Sequence, residues 1–282
     1  MTDRLKLTIL GCGSSGGVPR IGNDWGACDP SEPKNRRKRC SVLVERRGPN
    51  GTTTVLIDTG PDLRQQMLDH DVQHLDGVLY THAHADHLHG IDDLRVFTIR
   101  NRKRMPVYMD ETTYKRAEAA FGYCFETPQG SSYPPILDAN ILTAGRKLSV
   151  EGPGGPLEFL PIEVVHGDIN SLAFIFEKIA YLPDVSDIAA DLLTHFSELD
   201  VFILDALRRW QHPSHFSLTD ALQVLGELKP VQGILTNMHN DLDYAALCRE
   251  LPESIRPAFD GLVIEKHLYS SDKRVQEISA SI

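Results

Sequence analysis

The chain has 282 residues, 41% hydrophobic and 24% charged, which is enough to build a sizeable buried core. Its 29 Lys and Arg stand against 39 Asp and Glu, a formal net charge of −10. That balance argues against a general nucleic-acid coat or a basic membrane-surface protein, while leaving room for local basic patches.

The five cysteines, Cys12, Cys28, Cys40, Cys124 and Cys248, are odd in number in a chain too long to need stapling, so no disulfide framework is expected. No apolar run is long enough for a membrane span, and MTDRLKLTILGCG carries no cleavage signature. The expectation is a cytoplasmic enzyme with one domain over residues 1–282, no membrane association and a homodimeric assembly.

In chain order, Leu5 to Leu10 reads as a strand ending at the Gly/Ser-rich run Gly11-Cys12-Gly13-Ser14-Ser15-Gly16-Gly17. Residues 18–39 read as a long polar loop. Cys40 to Glu45 and Thr53 to Ile57 read as a hairpin joined through Gly48-Pro49-Asn50-Gly51, and Asp62 is placed to cap a helix running to Asp69. Gly77 to Tyr80 is a strand that runs into Thr81-His82-Ala83-His84, with helix expected over Asp86 to Phe97. A strand at Val107 to Met109, a helix at Thr112 to Phe121 and a mostly irregular stretch over 122–140 follow. The Gly/Pro-rich piece Gly152 to Pro156 reads as a hairpin turn. Strands then close at His166, at Pro183-Asp184, at Asp205 and just before His239. Ile188 to Phe196 reads as helical, and Leu218 to Leu228 as an amphipathic helix capped by Ser217.

The recurring pattern is an apolar strand with Asp58, His82, His166, Asp184, Asp205 or His239 at or near its end, which converges chemistry on the rim of a sheet. The densest signal is His82-Ala83-His84-Ala85-Asp86-His87. A single strand-end histidine is ordinarily structural, but this run crowds four metal-ligand types onto one short backbone. On an extended segment His82 and His84 face the same side, and Asp86 and His87 lie on the turn into a helix. Two cations share such a set more easily than one is held by all of it, and imidazole with carboxylate suits Zn, Mn or Fe.

The run resembles the H-x-H-x-D-H signature of the metallo-β-lactamase superfamily, and the likeness extends over about residues 5–265. It implies an α/β, four-layer αββα sandwich. It also implies a first metal site of His82, His84 and His166 and a second of Asp86, His87 and His239. Asp184 bridges the two, and Asp58 supports the histidine loop. Two divalent ions, Zn or Mn, then activate a shared water for hydrolysis.

His215, in Trp210-Gln211-His212-Pro213-Ser214-His215-Phe216-Ser217, is similar to a histidine of the phosphodiesterase branch that assists the leaving alkoxide, with His212 the runner-up. Asp205 is a candidate to orient His215 or to line the site. Within the branch the chain resembles phosphoribosyl cyclic phosphate phosphodiesterases of phosphonate degradation. It departs from them in the early loop, where Cys28 and Cys40 alone do not make a four-ligand structural zinc site.

The expected partner is a small anionic phosphodiester rather than nucleic acid. A thioesterase or lactonase, a tRNA-processing-like endoribonuclease and a non-catalytic binding module are the alternatives. Lys34 to Arg39, Ile99 to Arg104 and Arg95 are candidates to steer a second phosphate.

Overall fold

A computed structural model of the chain describes residues 3–268 and 275–277. In chain order its strands are β1 (Arg4–Gly11), β2 (Ser41–Gly48), β3 (Gly51–Ile57), β4 (Gly77–Leu79), β5 (Met105–Met109), β6 (Leu137–Ile141), β7 (Leu148–Val150), β8 (Leu157–His166), β9 (Ile169–Phe176), β10 (Ile179–Leu182), β11 (Val201–Asp205), β12 (Gln232–Thr236), β13 (Ile255–Pro257), β14 (Val263–His267) and β15 (Val275–Glu277). The helices are α1 (Leu63–Asp69), α2 (Ala85–Leu88), α3 (Arg95–Asn101), α4 (Glu111–Phe125), α5 (Leu218–Leu228) and α6 (Tyr244–Glu250).

The strands form an eight-stranded sheet, β15-β14-β1-β2-β3-β4-β5-β6, and a seven-stranded sheet, β13-β12-β11-β10-β9-β8-β7. Side-chain alternation explains the layering. Val42 and Val44 of β2, and Val55 and Ile57 of β3, face the second sheet and join Phe159, Phe174, Tyr181 and Ile203 in the main core. Leu43 and Leu56 point the other way, into a second core with Leu63, Met67, Phe97 and Ala117 of α1, α3 and α4. On the far side, Leu218, Ala221 and Leu225 of α5 and Leu247 of α6 join the main core. Val201 to Leu204 of β11 are buried on both faces, which is why that strand reads as an unbroken apolar run. The result is the αββα sandwich of the metallo-β-lactamase fold. Among the described residues no helix is long and apolar enough to cross a membrane.

Several local expectations need correction. Ile188 to Phe196 is not an α-helix; only Leu193–Phe196 forms a 3-10 turn. The segment before it is held extended, because Val165 of β8 bridges to Asp187 and accepts from the Ser186 N–H. The 122–140 stretch contains the end of α4 and the edge strand β6, which pairs in parallel with β5. Asp138 and Asn140 on that edge give it a loop-like composition. Asp62 stands at the start of α1 but makes no cap; its carboxylate accepts from the Arg39 backbone N–H at 2.9 Å. The helix expected over Asp86 to Phe97 is broken at Gly90 into α2, a 3-10 turn and α3.

The Ser217 start of α5 is as expected and stronger. Ser217 Oγ accepts from the Asp220 N–H, and the Asp220 carboxylate accepts from the Ser217 N–H, a complete capping box. Ser217→Ala should cost about 1 kcal/mol of stability. Urea unfolding should show a lower midpoint at an unchanged slope; an unchanged midpoint would mean the box contributes nothing.

Candidate metal centre

Four strands of the second sheet deliver side chains to one rim. β10, β11 and β12 are parallel, and β8 shares their direction because β8–β9 and β9–β10 are both antiparallel. Their ends carry His166, Asp184, Asp205 and the Asn237 to His239 turn. From the first sheet, β3 ends at Asp58 and β4 runs into residues 81–87.

The histidine loop is docked onto the turn after β3. The Thr59 N–H donates to the His87 carbonyl at 2.8 Å, and the Gly90 N–H donates to the Thr59 carbonyl at 2.7 Å. No side chain fits that contact: a Cβ on Gly60 would lie 2.2 Å from the Asp86 carbonyl oxygen, and one on Gly90 2.2 Å from that of Gly60.

Donor atoms of His82, His84 and His166 all lie within 4.8 Å of one another, as do those of His82, His87 and Asp184. Asp184 also groups with His166 and His215. It therefore sits between the two histidine sets. Asp86 adjoins the second set, its Oδ2 lying 3.5 Å from His87 Nε2. His239 lines the same cleft but stands outside these groups, its Nδ1 lying 3.1 Å from Asp241 Oδ1.

The orientation of each ring follows from its outer neighbours. His166 Nδ1 donates to the Ser214 carbonyl at 2.6 Å, so its Nε2, 3.1 Å from His84 Nδ1, carries the lone pair. Asp58, fully buried, accepts from the Thr81 N–H and hydroxyl at 2.8 Å each and lies 2.7 Å from His87 Nδ1. That leaves His87 Nε2 facing the rim. A carboxylate behind a histidine fixes its tautomer and raises its basicity as a ligand.

The inward atoms fit a cation. His82 Nε2, His87 Nε2 and Asp184 Oδ2 are buried without a hydrogen bond. His87 Nε2 and Asp184 Oδ2 approach to 3.0 Å without hydrogen-bond alignment. Burial of such atoms without a partner costs about 1–3 kcal/mol each. Burial also pushes His82 well below the usual imidazole range, with His87 adding to the effect, so its ring is neutral and free to ligate. At His87 burial acts the same way, but Asp184, Asp86 and Asp58 outweigh it and hold positive charge at that ring. A cation on Nε2 answers the same carboxylates.

Beside this centre, His215 Nδ1 lies 2.8 Å from Asp205 Oδ2, and its ring is 4.6 Å from that of His166. Asp205 is buried; burial lifts its carboxyl to about 7 against the opposing pull of His215. Burial lowers the His215 ring, but Asp205 and Asp184 outweigh it and raise the ring above its ordinary value. Asn237, which the sequence reading did not single out, donates to Asp205 Oδ1 at 3.1 Å and reaches Asp184 Oδ1 at 3.4 Å. Its φ of +58° at the end of β12 places it there, and its signal was its position two residues before His239.

The cleft is about 290 Å³ and is lined also by Ser14, Ser15, Arg20, Arg208 and His212. A larger cavity of about 590 Å³ adjoins it across His212 and His215, and His215 is the one member of the histidine–carboxylate groups that lines it.

The side chains of the basic run 34–39 are engaged within the protein. Lys34 lies over the Tyr244 and Phe259 rings, Arg36 over Trp25, Lys38 pairs with Asp69 at 2.8 Å and Arg39 with Asp62 at 2.9 Å. Arg37 is buried and donates to the carbonyls of His239 and Leu242 at 3.2 and 2.6 Å, pinning the turn that carries His239. Arg95 pairs with Asp92, and no residue of 99–104 lines the cleft. Cys28 and Cys40 have separate neighbours, Arg37 for the first and Gly13, Thr236 and Asn237 for the second. Phe121 and Phe125 pack in the second core, while Tyr123 and Tyr133 are exposed, and none of the four reaches the cleft.

Asp58→Asn preserves shape but removes the charge behind His87. Metal affinity, measured by chelator competition, should fall about 10- to 100-fold with circular dichroism unchanged. Unaltered affinity would show that Asp58 serves packing alone.

Residues 53–238 match the family model described as Beta-lactamase superfamily domain. An octanoyltransferase of Porphyromonas gingivalis is 30% identical over 270 residues, covering 92% of this chain and 51% of that protein. The chain thus spans about half the length of the curated relative it matches. Among solved structures, a new diphosphatase from the PhnP family is 34% identical, with a TM-score of 0.83 over 94% of this chain and 98% of that one. Zn-bound PqqB from Methylobacterium extorquens shares the fold at 18% identity and a TM-score of 0.70, over 92% and 99% of the two chains. The human short-form tRNase Z does so at 16% and 0.58, over 98% and 100%. With its sandwich and its histidine–carboxylate rim, the chain belongs to the beta-lactamase superfamily.

Proposed function

We propose that this chain, acting as one catalytic unit, hydrolyses a small or cyclic phosphodiester of phosphoribosyl or nucleotide type. In this reading His82, His84 and His166 hold one divalent cation, and Asp86, His87 and His239 hold a second. Asp184 lies between them, and the donor set suits Zn or Mn. Bound there, the two ions supply an activated water and neutralise phosphoryl oxygens in the transition state.

The observation that carries the phosphodiester reading is the Asp205–His215 pair. An ester of an aliphatic alcohol leaves as a poor alkoxide and needs a proton. His215 Nδ1 is fixed on Asp205 at 2.8 Å, so Nε2 is the nitrogen left for substrate, on a side chain that keeps 15% exposure while Asp205 has none. The ring lines the cleft against the histidine cluster. Asp205 orients the ring and stabilises its protonated form, and Asn237 holds Asp205 in turn.

A second reading is hydrolysis of a diphosphate, favoured by the 34% identical diphosphatase structure. Phosphate is a better leaving group than an alkoxide, so that reaction asks less of His215. Acyl transfer, the activity named for the longer P. gingivalis protein, finds less support: no cysteine or lysine lines the cleft.

His215→Ala separates these readings. It should retain both metals and lose about 10²- to 10⁴-fold in kcat on a cyclic or alkyl phosphodiester. The loss on a nitrophenyl phosphodiester, whose leaving group needs no proton, should be much smaller. Equal losses on both would reduce His215 to substrate binding. No loss on either would remove phosphodiester chemistry from the account.

A further inference from the structure

Most cationic side chains of the early loop are committed to the protein itself, and Arg20 is the exception. It lines the metal cleft together with Ser14 and Ser15, and it is exposed. Among the described residues its guanidinium has no hydrogen bond, ion pair or ring contact. Arg208, the other arginine of the cleft, gives Nε to the Trp210 carbonyl at 3.3 Å and Nη2 to that of Gln211 at 2.8 Å. Arg208 therefore shapes the wall, whereas Arg20 offers its whole fork.

The backbone of Arg20 is nevertheless fixed. Its N–H donates to the Asp24 carbonyl at 2.9 Å, and its carbonyl accepts from the Asp24 N–H at 3.2 Å. The Asp24 carboxylate accepts from Asn240 Nδ2 at 3.1 Å, next to His239. The Arg20 stem lies along Gly16, where a Cβ would come within 3.3 Å of both its Cγ and its Nε. The Gly/Ser-rich run thus leaves room for this side chain. A planar fork of donors, anchored relative to His239 and free of partners, is built for an oxyanion.

We infer that Arg20 is a specificity-determining residue that grips a second anionic group of the substrate, beside the group at the metal centre. The shared chemistry is a phosphate. It has two possible sources, a remote phosphate on a sugar or the second phosphate of a diphosphate. The inference rests on the hydrolase reading only for what occupies the metal centre.

The test uses the full, metal-loaded chain as wild type, Arg20→Ala and Arg20→Lys. In equilibrium titrations with ribose 5-phosphate, ribose 1,5-bisphosphate and inorganic pyrophosphate, the wild type should bind at least one of the doubly charged probes more tightly than the monophosphate. Arg20→Ala should erase that preference, an effect of about 10- to 100-fold, with metal content unchanged. Arg20→Lys should restore part of it. Preference for the bisphosphate places the second group across a sugar, and preference for pyrophosphate places it on the adjoining phosphorus.

In turnover, a nucleoside 2′,3′-cyclic phosphate with and without a 5′-phosphate gives the companion readout. Arg20→Ala should raise KM for the 5′-phosphorylated form about 10- to 100-fold more than for the form without that phosphate. Equal binding of all probes by wild type and Arg20→Ala overturns the inference and leaves the phosphodiesterase reading intact. Arg20-dependent binding without turnover of either cyclic phosphate overturns that reading and leaves the inference standing.

Discussion

Three atoms, His82 Nε2, His87 Nε2 and Asp184 Oδ2, are buried at one rim with no hydrogen bond to satisfy them. Protein interiors rarely leave such groups unpaired, because each carries a desolvation cost that folding must offset elsewhere. The outer nitrogens of both rings, and of the neighbouring His166, are occupied: Thr81 Oγ1 lies 3.0 Å from His82 Nδ1, Asp58 Oδ2 lies 2.7 Å from His87 Nδ1, and His166 Nδ1 donates to the Ser214 carbonyl. The inner nitrogens are therefore aimed at one another and at a carboxylate. That arrangement is unfavourable for the protein alone and becomes favourable with cations, which ties metal affinity to the fold's own stability.

The architecture makes this concentration affordable. Strand ends of two packed sheets converge on the rim, so each ligand rests on a rigid element with a core beneath it. Outer partners then fix each ring: Asp58 behind His87, Asp205 behind His215, and Arg37 behind the turn of His239. The polar loop 18–39, which carries no regular element beyond a 3-10 turn at Pro33–Asn35, acts as a clasp over the second-sheet side of the site. Asn35 alone joins Asp29, Asp243 and the Tyr244 N–H. Charge that reads as a surface patch in the sequence is consumed in holding this clasp, and Arg20 is left over for a ligand.

Local features were legible from the chain. The crowding of His82, His84, Asp86 and His87 needs no tertiary context, and neither does the Ser217 cap. Strand-end placement correctly grouped His166, Asp184 and Asp205 at one rim, because period-2 apolar runs mark where strands stop. What depended on packing was less visible. The segment after Asp184 has helical composition, yet β8 recruits Ser186 and Asp187 into extended pairing. Strand β6 hid behind its polar edge residues. Arg95 was another candidate for a second phosphate, just past the histidine run, but it pairs with Asp92 at 2.6 Å. Arg20 is indistinguishable from its basic neighbours until their partners are known. His239 occupies the cleft as expected but outside the tight ligand groups, since Asp241 engages its ring.

The central claim is that Asp184 lies between two cation sites rather than beside one. The measurement that bears on it most directly is metal stoichiometry in the saturated protein, with anomalous scattering to place the ions. The account predicts two Zn or Mn ions per chain, about 3.5 Å apart, with Asp184 touching both. A saturated protein holding a single ion at this rim, or two ions of which Asp184 contacts only one, would contradict it.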